Sequence, residues 1–257
     1  ESIEKCRDAD ALLVIYRKIT PRIMDALTNC KVILRYGIGY DVIDVEAATK
    51  RGIKVCNSPT HCLDEVATHT IAMILAMERQ LVFFNDLVKE GKWLANAGFK
   101  PHRLSCQTLG FVGFGNIARR TADFAKGFGF RMVAYDPYLD ESIITASGAE
   151  KVELDELLAV SDVITIHTPL FESTYHLINK DTIAKMKDGV MIVNTSRGPI
   201  ISADDLMAAA KEGRSGQRHW MLWSMNRSVS RDIRPLKPER SYAPPTQPII
   251  RWRQRSR

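Results

Sequence analysis

The stretch TLGFVGFGNIARRTADFAKGFGFRMVAYDPY, residues 108–138, decides the fold. It opens on a continuous apolar run, the pattern of a strand buried on both faces of a parallel sheet. That run leads into Gly113-Phe114-Gly115-Asn116-Ile117-Ala118, a G-x-G-x-x-A turn, and a helical pattern follows. Gly113 permits the tight turn, Gly115 lets the backbone approach a pyrophosphate, and the small Ala118 allows close helix–strand packing. An anion there sits on a helix N-terminus, where free N–H groups and the helix dipole favour it. The second strand ends at Asp136, 21 residues after Gly115, where an acid is expected to take the ribose hydroxyls of a dinucleotide. Asp136 is flanked by Tyr135 and Pro137, with no adjacent Arg or Ser to hold a 2′-phosphate. The expected cofactor is therefore NAD and not NADP.

Outward from this unit the same alternation continues. ALLVIY, KVILRY, IKVCN, DVITIHT and GVMIVNT read as further strands. PRIMDALT, VEAATKRG, DELLAVS, KDTIAKMKDG and SADDLMAAAKEG read as helices, several opened by Asp, Ser or Pro and closed by Gly. Strand–helix alternation of this kind predicts an α/β fold with parallel sheets of βαβ units. Residues 63–93 read as one unusually long helix with a broad apolar face, expected to bridge two subdomains and to offer a second role in a homodimer. The opening ESIEKCRDAD reads as the end of a helix, so a preceding N-terminal part of the fold is expected to be missing.

The net charge of +6 divides unevenly. From Arg214 onward lie eleven of the 36 Lys/Arg and two of the 30 Asp/Glu, so the tail carries +9 and the first 213 residues −3. The basic character that would point to nucleic acid is a property of the tail alone. Three of the four Trp also fall there, and the composition changes near Gly213. Cys6, Cys30, Cys56, Cys62 and Cys106 are scattered without a C-x-x-C pair, which reads as reduced thiols in a cytoplasmic protein and argues against a zinc or other metal site. No apolar run is long enough to span a membrane.

RYGIGYDVIDVEAATKRGIKVCNSP, TLGFVGFGNIA, AYDPY, SDVITIHTPL and MIVNTSRGPI, in this order, resemble the NAD-dependent D-2-hydroxyacid dehydrogenase family. AYDPYL and YHLIN lean toward its corepressor-like branch. The resemblance implies two α/β domains with a cleft between them. Residues 1–62 would be the remnant of a truncated flavodoxin-like substrate domain, and 63–213 a Rossmann-like NAD-binding domain. Arg197 would be the catalytic cation, clamping a 2-keto or 2-hydroxy acid bidentately, a task for which Lys is a poor substitute. Tyr36, Gly37, Ile38 and Gly39 would offer backbone N–H groups to the substrate carboxylate; on the residues alone this stretch fits an ordinary glycine turn equally well. Thr70 would reach the nicotinamide-side phosphate. Gly113 to Ile117, Asp136, Pro137, His167, Thr168, Pro169 and Thr174 would line the pyrophosphate and adenosine side, and Thr195, Ser196 and Arg197 the nicotinamide side. In the resemblance His167 sits beside the cofactor and transfers no proton. His61, His69, His102 and His176 read as ordinary helix or loop histidines.

The family's proton donor is a His held by a Glu, the Glu in an A-L-D-V-x-x-x-E-P segment and the His about twenty residues later in T-P-H. Neither segment occurs in this chain. The genetic code permits both in a shifted register. His219 to Arg227 must read CAY-TGG-ATG-Leu-TGG-Ser-ATG-AAY-Arg. Regrouped by one base, the fixed positions force Leu, Asp and, across Met225 and Asn226, Glu, and the rest permits A-L-D-V-V-E-Y-E-P. The same register across Tyr242 to Ile249 permits C-T-P-H-S-A-Y, with its His straddling Pro245 and Thr246. The expectation is a one-base slip near Arg214, in the gene or in its reading, that leaves residues 214–257 an aberrant, poorly ordered basic tail. The expected function is hydride transfer between NAD(H) and a 2-keto or 2-hydroxy acid, impaired in the chain as written. Two other classes fit less of the sequence: an NAD-sensing corepressor-like binding protein, and nucleic-acid binding through the tail.

Overall fold

The structure, a computed structural model, describes residues 2–93, 102–211 and 250–252. The chain divides between Cys62 and Leu63 into two compact units. In the first, α1 (Ser2–Cys6), β1 (Ala11–Val14), α2 (Pro21–Asp25), β2 (Val32–Arg35), α3 (Val45–Lys50) and β3 (Lys54–Asn57) follow one another. The local chemistry is as the sequence requires. Pro21 opens α2 with its fixed φ, and Asp44 caps α3 by accepting the Ala47 N–H at 2.8 Å. β2 lies between β1 and β3, both parallel to it. β1 and β2 bury alternate residues, among them Leu12, Val14 and Ile33, which pack with Ile19, Met24 and Ala48.

The free edge of β1 is taken by Ile250–Trp252, a strand antiparallel to it, with Leu13 opposite Ile250. The expectation for residues 214–257 is a poorly ordered tail, and these three residues of it are described as a strand. An open strand edge presents a row of unpaired N–H and C=O groups, and a short β-prone Ile-Arg-Trp run satisfies them whatever its coding history. The rest of the tail, residues 212–249 and 253–257, lies outside the described residues.

The second unit opens with a departure from the sequence reading. Residues 63–93 do not form one helix: α4 (Leu63–Glu78) ends, and α5 (Leu81–Lys89) begins after Gln80 in the left-handed region, φ 46° and ψ 39°. No helix can pass through that conformation. Arg79 donates from Nη1 to the His102 carbonyl at 3.1 Å, which ties the break to the chain entering the sheet.

The sheet of this unit is parallel throughout, in the order β6-β5-β4-β7-β8. Its strands are β4 (Thr108–Val112), β5 (Arg131–Tyr135), β6 (Glu150–Lys151), β7 (Val163–Ile166) and β8 (Met191–Asn194), and between them run α6 (Asn116–Ala125), α7 (Glu141–Ala146), α8 (Leu154–Val160) and α9 (Lys180–Ala184), with α10 (Ala203–Lys211) last. β4 and β7 are buried at every residue, the continuous apolar signature of a sheet covered on both faces. One face packs on α4 and α6 through Ile74, Met77, Phe111, Ala118 and Ala122. The other packs through Val112, Leu157, Ile164 and Ile192. Ala118 is fully buried, as the close approach of α6 to the sheet demands.

Glu78, at the end of α4, is 4% exposed and its Oε1 has no hydrogen-bond partner. Burial pushes its carboxyl above the usual range, against a hydrogen bond from Gln107 and the charges of Arg79 and His102; Asp162 adds to the rise. A raised folded-state pKa gives stability that is complete below the unfolded value and is lost as pH rises. Glu78→Gln keeps the shape and removes the acid. It should raise the melting temperature at pH 8 by about 2–4 °C, the shift expected for about 1 kcal/mol, and by less at pH 5. Equal melting curves at both pH values would refute this role.

Candidate functional site

The chain leaves β4 toward β5 on one side and reaches β7 on the other, so the carboxyl ends of β4 and β7 flank a topological switch point, where ligands of open α/β sheets bind. The Gly113 N–H donates to the Tyr135 carbonyl at 2.8 Å, and the His167 N–H to Val112 at 2.8 Å. Gly113 has φ +82°, and a Cβ built on it would stand 2.8 Å from the Thr168 nitrogen. Glycine is required there twice over, by conformation and by space. At Gly115 a Cβ would meet nothing within 4 Å: the backbone faces open space at the head of α6. Asn116 and Ile117 stand in the first turn of that helix, whose N–H groups have no carbonyl within it.

Phe114 enters the site by its backbone alone. Its ring is fully buried, edge-on to Phe111 at 5.3 Å. Its N–H donates to Asp136 Oδ2 at 2.8 Å, and Asp136 Oδ1 accepts from the Tyr138 N–H at 3.0 Å. The carboxylate thus bolts the glycine turn to the end of β5, beside the exposed Pro137. Space at Gly115, free helix amides and an acid in reach of the turn are the features that a dinucleotide requires, and these residues fit NAD.

After β7, His167 is half-buried, and desolvation pushes its imidazole down to about 3. Its Nε2 pairs with Thr165 Oγ1 at 2.9 Å, which holds the ring against β7. Thr168 Oγ1 donates to the Pro169 carbonyl at 2.8 Å. Thr174 Oγ1 donates to the same carbonyl at 2.7 Å and accepts the Phe171 N–H at 2.7 Å. These hydroxyls shape the loop leaving β7.

After β8, Thr195, Ser196 and Arg197 form the next loop. Arg197 is half-buried and extended, φ −136° and ψ 134°, and its Nη1 donates to the Ser196 carbonyl at 3.0 Å. Thr70 is fully buried on α4; its hydroxyl donates to the Val66 carbonyl at 2.8 Å and meets Thr195 Oγ1 at 3.0 Å. Thr70 therefore ties α4 to this loop. Asn194, which the sequence reading passed over, is fully buried and bonds both Ser196 and Arg197. Its signal was no more than an Asn at a strand end, a common turn former.

In the first unit the turn after β2 is braced from several sides. Tyr36 and Gly37 spend their N–H groups on Val14 and Arg35. Asn57 Nδ2 holds the Ile38 carbonyl at 2.8 Å, and the Ser58 N–H holds that of Gly37 at 3.1 Å. The Arg35 guanidinium donates to the Tyr36 carbonyl and lies where a Cβ of Gly37, φ +148°, would stand. Among the described residues no bond is made by the N–H groups of Ile38 and Gly39. Tyr36 is half exposed, its ring 4.9 Å from that of His61. No three His, Cys, Asp or Glu among the described residues are grouped to hold a metal ion.

The two glycines of the turn make different predictions. Gly113→Ala should cost about 2 kcal/mol or more through its positive φ and its clash. Gly115→Ala should melt as the parent does and bind NADH at least tenfold more weakly. Thermal melts and NADH fluorescence titration check both; a Gly115→Ala chain with parental NADH affinity would contradict the assignment of the open space to the pyrophosphate.

Residues 71–218 match the family model described as D-isomer specific 2-hydroxyacid dehydrogenase, NAD binding domain. The chain is 44% identical over 197 residues to a hydroxypyruvate reductase of Thermotoga maritima, covering 77% of this chain and 63% of that one. It is 38% identical to a glyoxylate reductase of Thermococcus litoralis, covering 82% and 66%. The chain thus spans a little under two thirds of the length of these curated relatives. Among solved structures, D-lactate dehydrogenase from Aquifex aeolicus, complexed with NAD and lactic acid, superimposes with a TM-score of 0.80 at 33% identity, covering 86% of this chain and 66% of that one. The chain belongs to the D-isomer specific 2-hydroxyacid dehydrogenase family, and its second unit carries that family's NAD-binding domain.

Proposed function

We propose that this chain derives from an NAD-dependent oxidoreductase that interconverts a small 2-keto acid and its D-2-hydroxy acid. The observation that carries the reading is the convergence, at one end of one sheet, of the Gly113 turn bolted to Asp136 and the Arg197 loop. NAD bound at the turn supplies the hydride acceptor or donor. Asp136 takes the ribose hydroxyls, and the first-turn amides of α6 hold the pyrophosphate. Thr195, Ser196 and His167 line the cofactor without titrating. Arg197 holds the substrate carboxylate bidentately and polarises its carbonyl. By itself, the turn of Tyr36, Gly37, Ile38 and Gly39 in the first unit is read as a carboxylate-binding turn through its backbone N–H groups. The names of the relatives support glyoxylate or hydroxypyruvate as the substrate class, and they support an enzyme over a corepressor-like sensor.

Residues 1–62 are read as the substrate domain, 63–213 as the cofactor domain and 214–257 as an out-of-register tail. Reduced thiols support a cytoplasmic protein. Leu81 and Val88 of α5, each 56% exposed, and Phe83, 43% exposed, support a homodimer through that helix. No helix among the described residues is long and apolar enough to cross a membrane.

The chain as written lacks the Glu and His of the proton relay, so the reading predicts different rates for this chain and for one in which they are restored. The chain as written should reduce glyoxylate and hydroxypyruvate with NADH at no more than about a thousandth of the rate of one whose frame is restored by a single base at codon 214. The restored chain should turn over in the ordinary range of about 1–10³ per second. Sequencing of the coding DNA should find the slip. An intact frame through the tail, or full turnover by the chain as written, would contradict this.

A further inference from the structure

We propose that Asn194 is a positioning residue for Arg197, its buried amide fixing the backbone on which the guanidinium stands. The proposal rests on the reading of Arg197 as the carboxylate-binding cation.

Asn194 ends β8 and is fully buried. Its Oδ1 accepts both from the Ser196 N–H, at 3.0 Å, and from Ser196 Oγ, at 2.9 Å. Its Nδ2 donates to the Arg197 carbonyl at 2.8 Å. A carboxamide has two donor and two acceptor positions. Here three of the four are spent on the second and third residues after it, and none of these three bonds reaches the sheet or a helix. A buried polar side chain whose job was to hold the core together would bond across elements; this one acts as a template for its own loop. The loop is anchored separately by Thr195 Oγ1 against Thr70 Oγ1 on α4. Just after these two anchors, Arg197 stands extended at the head of the tight turn Gly198–Ile200. Bidentate capture of a carboxylate requires a guanidinium plane held in one orientation, and a misplacement of about 1 Å costs on the order of a hundredfold in such sites.

The chemistry of the amide makes the test specific. Asn194→Ala removes all three bonds. Asn194→Asp keeps the acceptor for Ser196 and sets a second oxygen against the Arg197 carbonyl, in place of the donor. Arg197→Lys serves as the reference for loss of the guanidinium. The probe is oxamate, an unreactive 2-keto acid mimic, titrated into the full chain with NADH present and followed by nicotinamide fluorescence, beside thermal melts and NADH titrations.

Both Asn194 variants should bind oxamate at least tenfold more weakly while NADH affinity stays within threefold of the parent. A role confined to stability would lower the melting temperature and leave the oxamate affinity of the folded chain unchanged. Should Asn194→Ala fail to fold, the nearly isosteric Asn194→Asp decides alone. Parental oxamate affinity in the Asn194 variants, with loss in Arg197→Lys, overturns the positioning role and leaves Arg197 standing. Parental affinity in Arg197→Lys, or no oxamate binding by the parent chain, overturns the Arg197 reading and the proposal with it.

Discussion

The backbone of Gly113 lies almost against that of Thr168, and this approach governs the rest of the second unit. It is possible only without a side chain and only at positive φ. It draws the turn after β4 onto the loop after β7, so that the crevice at the switch point is shaped by main chain and leaves open space at Gly115. Asp136 then fixes the turn from the β5 side through the Phe114 N–H. The carboxylate proposed to take the ribose hydroxyls is thus also part of the frame. Changing it to alter cofactor choice would disturb the turn as well, because the loss of a charged acceptor leaves a backbone donor unsatisfied.

The loops leaving β7 and β8 follow a common plan in which hydroxyl and amide side chains brace the loop, most of them on its own backbone. Thr168 and Thr174 bond Pro169, Thr70 bonds Thr195, and Asn194 bonds Ser196 and Arg197. Such bonds are individually modest, of order 1 kcal/mol. Together they hold loop groups in one conformation before any ligand arrives, which spares the ordering cost on binding. The half-buried His167 is held likewise, its ring by Thr165 of β7 and its N–H by the Val112 carbonyl of β4.

Much of this was legible in the sequence where the controlling interaction is local. The strand, glycine turn, helix and terminal acid between residues 108 and 138 are fixed by spacing within one βαβ unit, and the structure keeps each of them. Seven strands were legible as apolar runs. β6 was not, because two residues, Glu150 and Lys151, carry no periodicity. The break between α4 and α5 was hidden because a left-handed Gln80 has no compositional mark, unlike a glycine or proline. The strand Ile250–Trp252 was hidden for the opposite reason: its partner, Ala11–Leu13, lies at the other end of the sequence. Thr70 could be assigned a place near the cofactor from the resemblance, yet only the fold shows its hydroxyl spent on Val66 and Thr195. The tail is a separate case: its residues carry no motif of the family, and the proposed family segments are ones that its codons permit in a shifted register.

The central claim is that the second unit holds NAD across the Gly113 turn with Asp136 against the ribose. The most direct measurement is a pair of fluorescence titrations of the unmodified chain with NADH and with NADPH. The account predicts saturable binding of NADH and at least tenfold weaker binding of NADPH, whose 2′-phosphate meets the Asp136 carboxylate with no nearby cation in Tyr135 or Pro137 to offset it. Equal or tighter binding of NADPH, or binding of neither, would contradict it.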